Sequence, residues 1–203
     1  MAKKRKKKNS SGCLGFVVAT LILVLCVAVF IYSGLFSKIR TSIEHRIYPL
    51  KYEQEIIAAA NEYNLEPELL SAVIYAESRF DENATSHVGA MGLMQMMPST
   101  FAEIQQRRGE SLSDESLYDP YVSIDYGASY LGYLYNHFGD IYTACAAYNA
   151  GIGTVESWLL DEDYSEDGVT LYYIPFGETS NYVEKIRDAT LKYNELYFAD
   201  NQY

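Results

Sequence analysis

At 203 residues and 49% hydrophobic side chains, the chain suits one compact domain plus an accessory segment better than two full domains. Its net charge of −11 is unevenly spread: Lys3, Lys4, Arg5, Lys6, Lys7 and Lys8 lead the chain, whereas beyond residue 37 ten basic residues face 27 acidic ones, a balance of −17. A domain so acidic would repel phosphates, which excludes nucleic acid as a partner.

The first element is the uncharged run from Cys13 to Phe36. It exceeds the ~20 residues that a helix needs to cross the hydrocarbon core. Basic residues before it predict a cytoplasmic basic tail over residues 1–12, a single-pass transmembrane anchor over 13–36 and an outward-facing remainder. A cleavable signal peptide would have a shorter apolar core of roughly 7–15 residues and a small-residue cleavage site. Tyr32-Ser33-Gly34-Leu35-Phe36 suits cleavage poorly, and Cys13 precedes the apolar run, which disfavours a lipoprotein.

Residues 37–52 read as a stem, with Pro49 near its end, and residues 53–203 as the functional domain. Helix formers from Glu53 to Ala60 open it. Pro67 starts a second helix reaching about Arg79, and the Gly-bearing stretch Asp81 to Gly92 reads as a loop. Pro98 begins a third helix, closed by Gly109, and Asp119-Pro120 opens a longer one that stops at Gly139. Asp140 to Asn149 forms another, with Gly151 and Gly153 breaking the chain before Val155. Asp161 to Gly168 reads as an acidic surface loop, Leu171 to Ile174 as a short strand, and Glu178 to Tyr197 as a terminal helix. Cys145, the one cysteine beyond the anchor, reads as a small buried hydrophobe. His45, His87 and His137 lack ligand spacing, so neither a metal nor a cofactor is expected.

One carboxylate stands out. Glu77 lies three residues after Ile74, four after Val73 and seven after Leu70, on the apolar face of its helix. Burial there and the negative end of the helix dipole both favour the protonated form, as a general acid at neutral pH requires. The competing reading is a Glu that turns to solvent or pairs with Arg79.

Downstream stand Glu77-Ser78-Arg79-Phe80, Ser86 to Pro98 with its Gly-Leu-Met-Gln core, Ala147-Tyr148-Asn149-Ala150-Gly151, and Pro175-Phe176-Gly177-Glu178-Thr179-Ser180-Asn181-Tyr182-Val183. In this order the four motifs strongly resemble the soluble lytic transglycosylases, peptidoglycan-cleaving enzymes related to goose-type lysozymes, over roughly residues 53–198. The resemblance implies a mainly α, lysozyme-like fold, α+β at most through a short hairpin. It makes Glu77 the catalytic acid/base and Ser86 a group that holds the reacting sugar. Gln95 and Met97 would line the glycan groove, Tyr148 and Asn149 would approach the glutamate and the sugar, and Glu178 and Tyr182 would lie near the saccharide. Ser180 stands where many members carry Arg, a local departure. Taken singly, Met94, Met96 and Met97 each read more readily as core fillers than as ligand contacts.

The resemblance further implies cleavage between N-acetylmuramic acid and N-acetylglucosamine with a 1,6-anhydro end, one carboxylate serving where most glycosidases use two. The partners would be peptidoglycan strands and, through the anchor, the bacterial cytoplasmic membrane. Two alternatives stand beside it: a muramidase of the goose type, with Asp81, Asp119 or Asp125 holding the water, and a non-catalytic wall-binding module.

Overall fold

The computed structural model describes residues 11–199, and the basic residues 3–8 lie outside that range. The chain divides after Ile47 into two units. The first is one helix, α1 (Ser11–Ile47). Its stretch Val18–Ile47 is apolar enough and long enough to cross a membrane, and none of its most apolar part is buried by protein. The residues read above as a stem continue this helix as far as Ile47, because nothing between Phe36 and Pro49 breaks it.

The second unit is helical, and no sheet forms among its described residues. It comprises α2 (Glu53–Glu62), α3 (Pro67–Glu77), α4 (Pro98–Arg108), α5 (Pro120–Phe138), α6 (Ile141–Ala150), α7 (Ile152–Leu159) and α8 (Gly177–Tyr193). A 3-10 turn, Asp114–Tyr118, precedes α5, and a π-helical turn, Asn194–Phe198, ends the described chain.

Local chemistry sets the boundaries. Prolines occupy the first turn of α3, α4 and α5, where a missing N–H costs nothing. Asp119 accepts from the Tyr121 and Val122 N–H groups, and Asp140 accepts from Thr143 N–H at 2.7 Å. Gly109 and Gly139 close α4 and α5 in the left-handed conformation.

Several expected elements differ. Leu171 to Ile174 form no strand, for this segment runs without a partner strand. Gly153 lies inside α7, and Gly151 alone separates α6 from α7. The terminal helix changes pitch at Asn194.

α3 and α6 form the interior. Leu70, Val73 and Ile74 of α3 and Ala144, Cys145, Ala146 and Ala147 of α6 are all fully buried. α3 packs chiefly on α8, and α6 lies between α5 and α8. The small residues of α6 let these neighbours approach closely. A second cluster, Met96, Phe101, Ile104, Leu117 and Tyr126, joins α4 and the 3-10 turn to α5. The entry strap is tied down as well: Tyr193 donates to Pro49 O at 2.9 Å and Tyr197 to Tyr48 O at 2.7 Å.

Candidate active site

α3 ends on Glu77, and the chain turns sharply behind it. Arg79 and Phe80 both adopt left-handed backbone angles, φ 54° and 63°, although neither is glycine. Each costs of order 1 kcal/mol. Burial of the Phe80 ring and a bond from Ser78 Oγ to Leu93 O, 2.8 Å long, hold the turn.

The loop that follows is laced to itself. Ser86 and Ala90 bond through their backbones, and Ser86 Oγ accepts from Ala90 N–H at 2.9 Å. Isolated bridges pair Thr85 with Met91 and Met91 with Met96. The Gln95 amide donates to Ala84 O at 3.1 Å and Gly92 O at 2.9 Å. Gly92, at φ 75°, packs so tightly that a Cβ would lie 1.9 Å from Leu117 O.

Two more helices converge on this loop and on Glu77. From α6, Tyr148 donates to Met94 O at 2.8 Å, its ring centroid 5.5 Å from that of Tyr130. From α8, Tyr182 donates to Glu77 Oε1 at 2.6 Å. Thr179, at the start of α8, donates to Asn149 Oδ1 at 2.8 Å, which ties α8 to the end of α6.

Glu77 is only partly accessible, and burial pushes its carboxyl up to about 7 from an ordinary 4.5. The Tyr182 hydrogen bond and then the Lys185 ammonium work against that rise. The negative charge of Glu77 in turn helps to hold the Tyr148 and Tyr182 hydroxyls, both already raised by burial, well above their usual range. The arrangement is a carboxyl poised near neutrality beside two neutral phenols, suited to passing a proton in both directions.

The expected site residues fare differently. Glu77, Tyr148 and Tyr182 come together. Asn149 is exposed at the end of α6 with its amide N–H groups available. Ser86 retains its own O–H, whereas both Gln95 amide protons are engaged within the loop. Met97 is 38% exposed at the start of α4, while Met94 and Met96 are core residues. Glu178 is exposed one turn before Tyr182 and bonds to none of these groups. Arg79 is exposed and forms no ion pair with Glu77, whose partner is Tyr182. Lys185 and Thr179 were not anticipated. The sequence signal for Lys185 is its place three residues after Tyr182 on one helix.

No group of three His, Cys, Asp or Glu side chains among the described residues is placed to hold a metal. The larger hollows lie elsewhere: one of about 800 Å3 borders Leu65, Pro67 and Leu69 at the opposite end of α3, and Glu77 lines neither it nor its neighbours.

Residues 54–168 match the model of the transglycosylase SLT domain. The soluble lytic murein transglycosylase of Salmonella typhimurium (strain LT2) is 35% identical over 159 residues, covering 74% of this chain and 23% of that protein. The membrane-bound lytic murein transglycosylase C of Haemophilus influenzae (strain PittEE) is also 35% identical, over 52% of this chain and 32% of its own. The structure of an inactive mutant of the lytic transglycosylase Slt from Pseudomonas aeruginosa superposes with a TM-score of 0.65 at 33% identity, over 74% of this chain and 25% of that one. The chain thus spans about a quarter of the length of the soluble relatives it matches. With residues 54–168, more than half of its length, matching that model, the chain belongs to the transglycosylase SLT domain family.

Proposed function

We propose that this protein is a membrane-anchored lytic transglycosylase that cleaves the β-1,4 bond between N-acetylmuramic acid and N-acetylglucosamine in peptidoglycan, leaving 1,6-anhydro ends. The observation that carries this reading is the Glu77 carboxyl, raised to about 7 and held through Oε1 by Tyr182. Both lytic murein transglycosylases named above support the substrate class, and the Haemophilus protein's description as membrane-bound supports α1 as an anchor.

With Oε1 held by Tyr182, the proton to be donated resides on Oε2. Glu77 gives it to the glycosidic oxygen as the C1–O bond breaks. The resulting carboxylate takes the proton from the muramoyl C6 hydroxyl, whose oxygen bonds to C1. The proton count closes without water. The nucleophile belongs to the same sugar, so its effective concentration replaces a second carboxylate and a held water. Ser86, Asn149, Met97 and Tyr148 would contact the sugars, with Glu178 at the margin. Gln95 would act by holding the loop in shape.

Two of the three aspartates that a hydrolytic muramidase could use to hold water are engaged away from Glu77. Asp119 caps α5, and Asp125 pairs with Arg108 at 2.5 Å and accepts from Tyr63 at 2.6 Å. The topology that accompanies the reading has the N-terminus in the cytoplasm, an anchor over residues 13–36 and residues 53–203 facing the wall.

Mass spectrometry of peptidoglycan digests tests the chemistry. Anhydro products are lighter than hydrolysis products by one water, about 18 Da. Reducing-end products at full mass would overturn the lyase reading. Wall binding without any release of sugar would favour a non-catalytic module.

A further inference from the structure

α8 meets the acid-bearing turn twice. Tyr182 reaches the Glu77 side chain, and Lys185, three residues on, reaches the main chain: its Nζ donates to Ala76 O at 2.8 Å. Ala76 lies in the last turn of α3, where carbonyls lack helical partners. Ser78 and Arg79 bond back to Ile74 and Tyr75, after which the left-handed Arg79 and Phe80 carry the chain away and leave the Ala76 carbonyl to Lys185. The ammonium also lies 5.3 Å from the centroid of the Tyr75 ring.

Arg107, Arg108 and Lys192 are each paired with a carboxylate. Lys185, like Lys51, Arg79 and Arg187, forms no such pair among the described residues; its contacts are the Ala76 carbonyl and the Tyr75 ring. It is partly buried, and burial first, then the charge of Arg79, hold its pKa below the usual lysine range. The bond to Ala76 O, one residue before Glu77, places the ammonium at the turn that carries the acid.

We propose that Lys185 is a positioning residue for the cleavage reaction: it fixes the backbone of the turn that carries Glu77 and supplies the positive charge beside that side chain while its proton is on the substrate. The inference rests on the reading of Glu77 as the acid. The groups that act electrostatically with Glu77 are Tyr182 and Lys185 from α8 and Tyr148 and Cys145 from α6, with Arg79 acting on Lys185 from beyond α3. Among them Lys185 alone is a cation acting directly on Glu77, so it is the member whose loss should leave the carboxylate least supported.

The test is the pH profile of peptidoglycan digestion by the full chain in detergent micelles. Activity requires protonated Glu77, so it falls on the alkaline side as that group ionises. Lys185→Met should move this limb upward by roughly one pH unit, the lower end of the effect of a neighbouring opposite charge. It should also slow turnover at the plateau. Lys185→Arg should keep the limb where the wild type has it. A folded Lys185→Met protein with an unmoved limb, even if slower at every pH, would reduce Lys185 to a structural strut and overturn the proposal. So would failure of Lys185→Arg to restore the limb. If Lys185→Met does not fold, Lys185→Gln decides between the same outcomes, since an amide can still donate to Ala76 O without the charge. A Glu77→Gln protein that digests wall at the wild-type rate would instead sink the reading of Glu77, and this inference with it.

Discussion

Replacing Glu77 with Gln should abolish lysis and, at the same time, make the protein more stable at neutral and alkaline pH. The folded carboxyl titrates at about 7 against 4.5 when unperturbed, a difference of about 2.5 units. At 1.36 kcal/mol per unit, this corresponds to about 3 kcal/mol. Because the folded pKa is raised, folding favours the protonated form. Stability from this group is complete below pH 4.5 and is lost as pH rises through 7, where the fold must hold a buried carboxylate. Gln has the same shape, stays neutral and can still accept from Tyr182. Near pH 4 the two proteins should therefore unfold together, and by pH 8 the variant should lead by up to about 3 kcal/mol, equivalent to roughly 6–12 °C in a domain of this size. Thermal unfolding followed by circular dichroism at pH 4, 6 and 8 measures this. A Glu77→Gln protein with the same margin over wild type at all three pH values would show that Glu77 is not buried at a cost.

Three further outcomes follow from the same geometry. Tyr182→Phe removes the hydroxyl that stabilises the carboxylate, so the alkaline limb of the pH profile should move upward and the rate at pH 6 should fall by about tenfold, the equivalent of one charge-assisted hydrogen bond. An unchanged limb would contradict the 2.6 Å contact. Gly92→Ala would force a Cβ into the Leu117 carbonyl at a positive φ, so the loop carrying Ser86 and Gln95 should open, with loss of wall digestion and about 1–3 kcal/mol of stability by urea unfolding. Tyr148→Phe strips the Met94 carbonyl of its donor and should cost about 1–3 kcal/mol, read by the same method.

The long apolar helix, the proline-marked starts of α3, α4 and α5 and the burial of Glu77 were legible in one dimension, because each depends on neighbours along the chain. A run of apolar residues without charge predicts a spanning helix by composition. Pro67, Pro98 and Pro120 mark helix starts because their ring fixes φ and removes an N–H that is unsatisfied there anyway. Glu77 could be placed on the buried face by counting from Leu70, Val73 and Ile74. Motif order then suggested Tyr148 as its companion and Tyr182 as a neighbour of the sugar.

The structure alone decided what those residues touch. Glu77 and Tyr182 stand 105 residues apart, and no local periodicity states that α8 packs on α3 with that hydroxyl on Oε1. Gln95 reads as a ligand group in sequence, and in the fold its amide N–H groups brace the loop, because they meet carbonyls that only loop closure brings near. Leu171 to Ile174 has strand composition without strand structure, since a ladder requires a partner that the chain does not deliver there. Lys185 shows the same limit. Helical spacing puts it on the face of Tyr182, but its work at the Ala76 carbonyl arises from the way two distant helices dock, and docking is a property of the whole core.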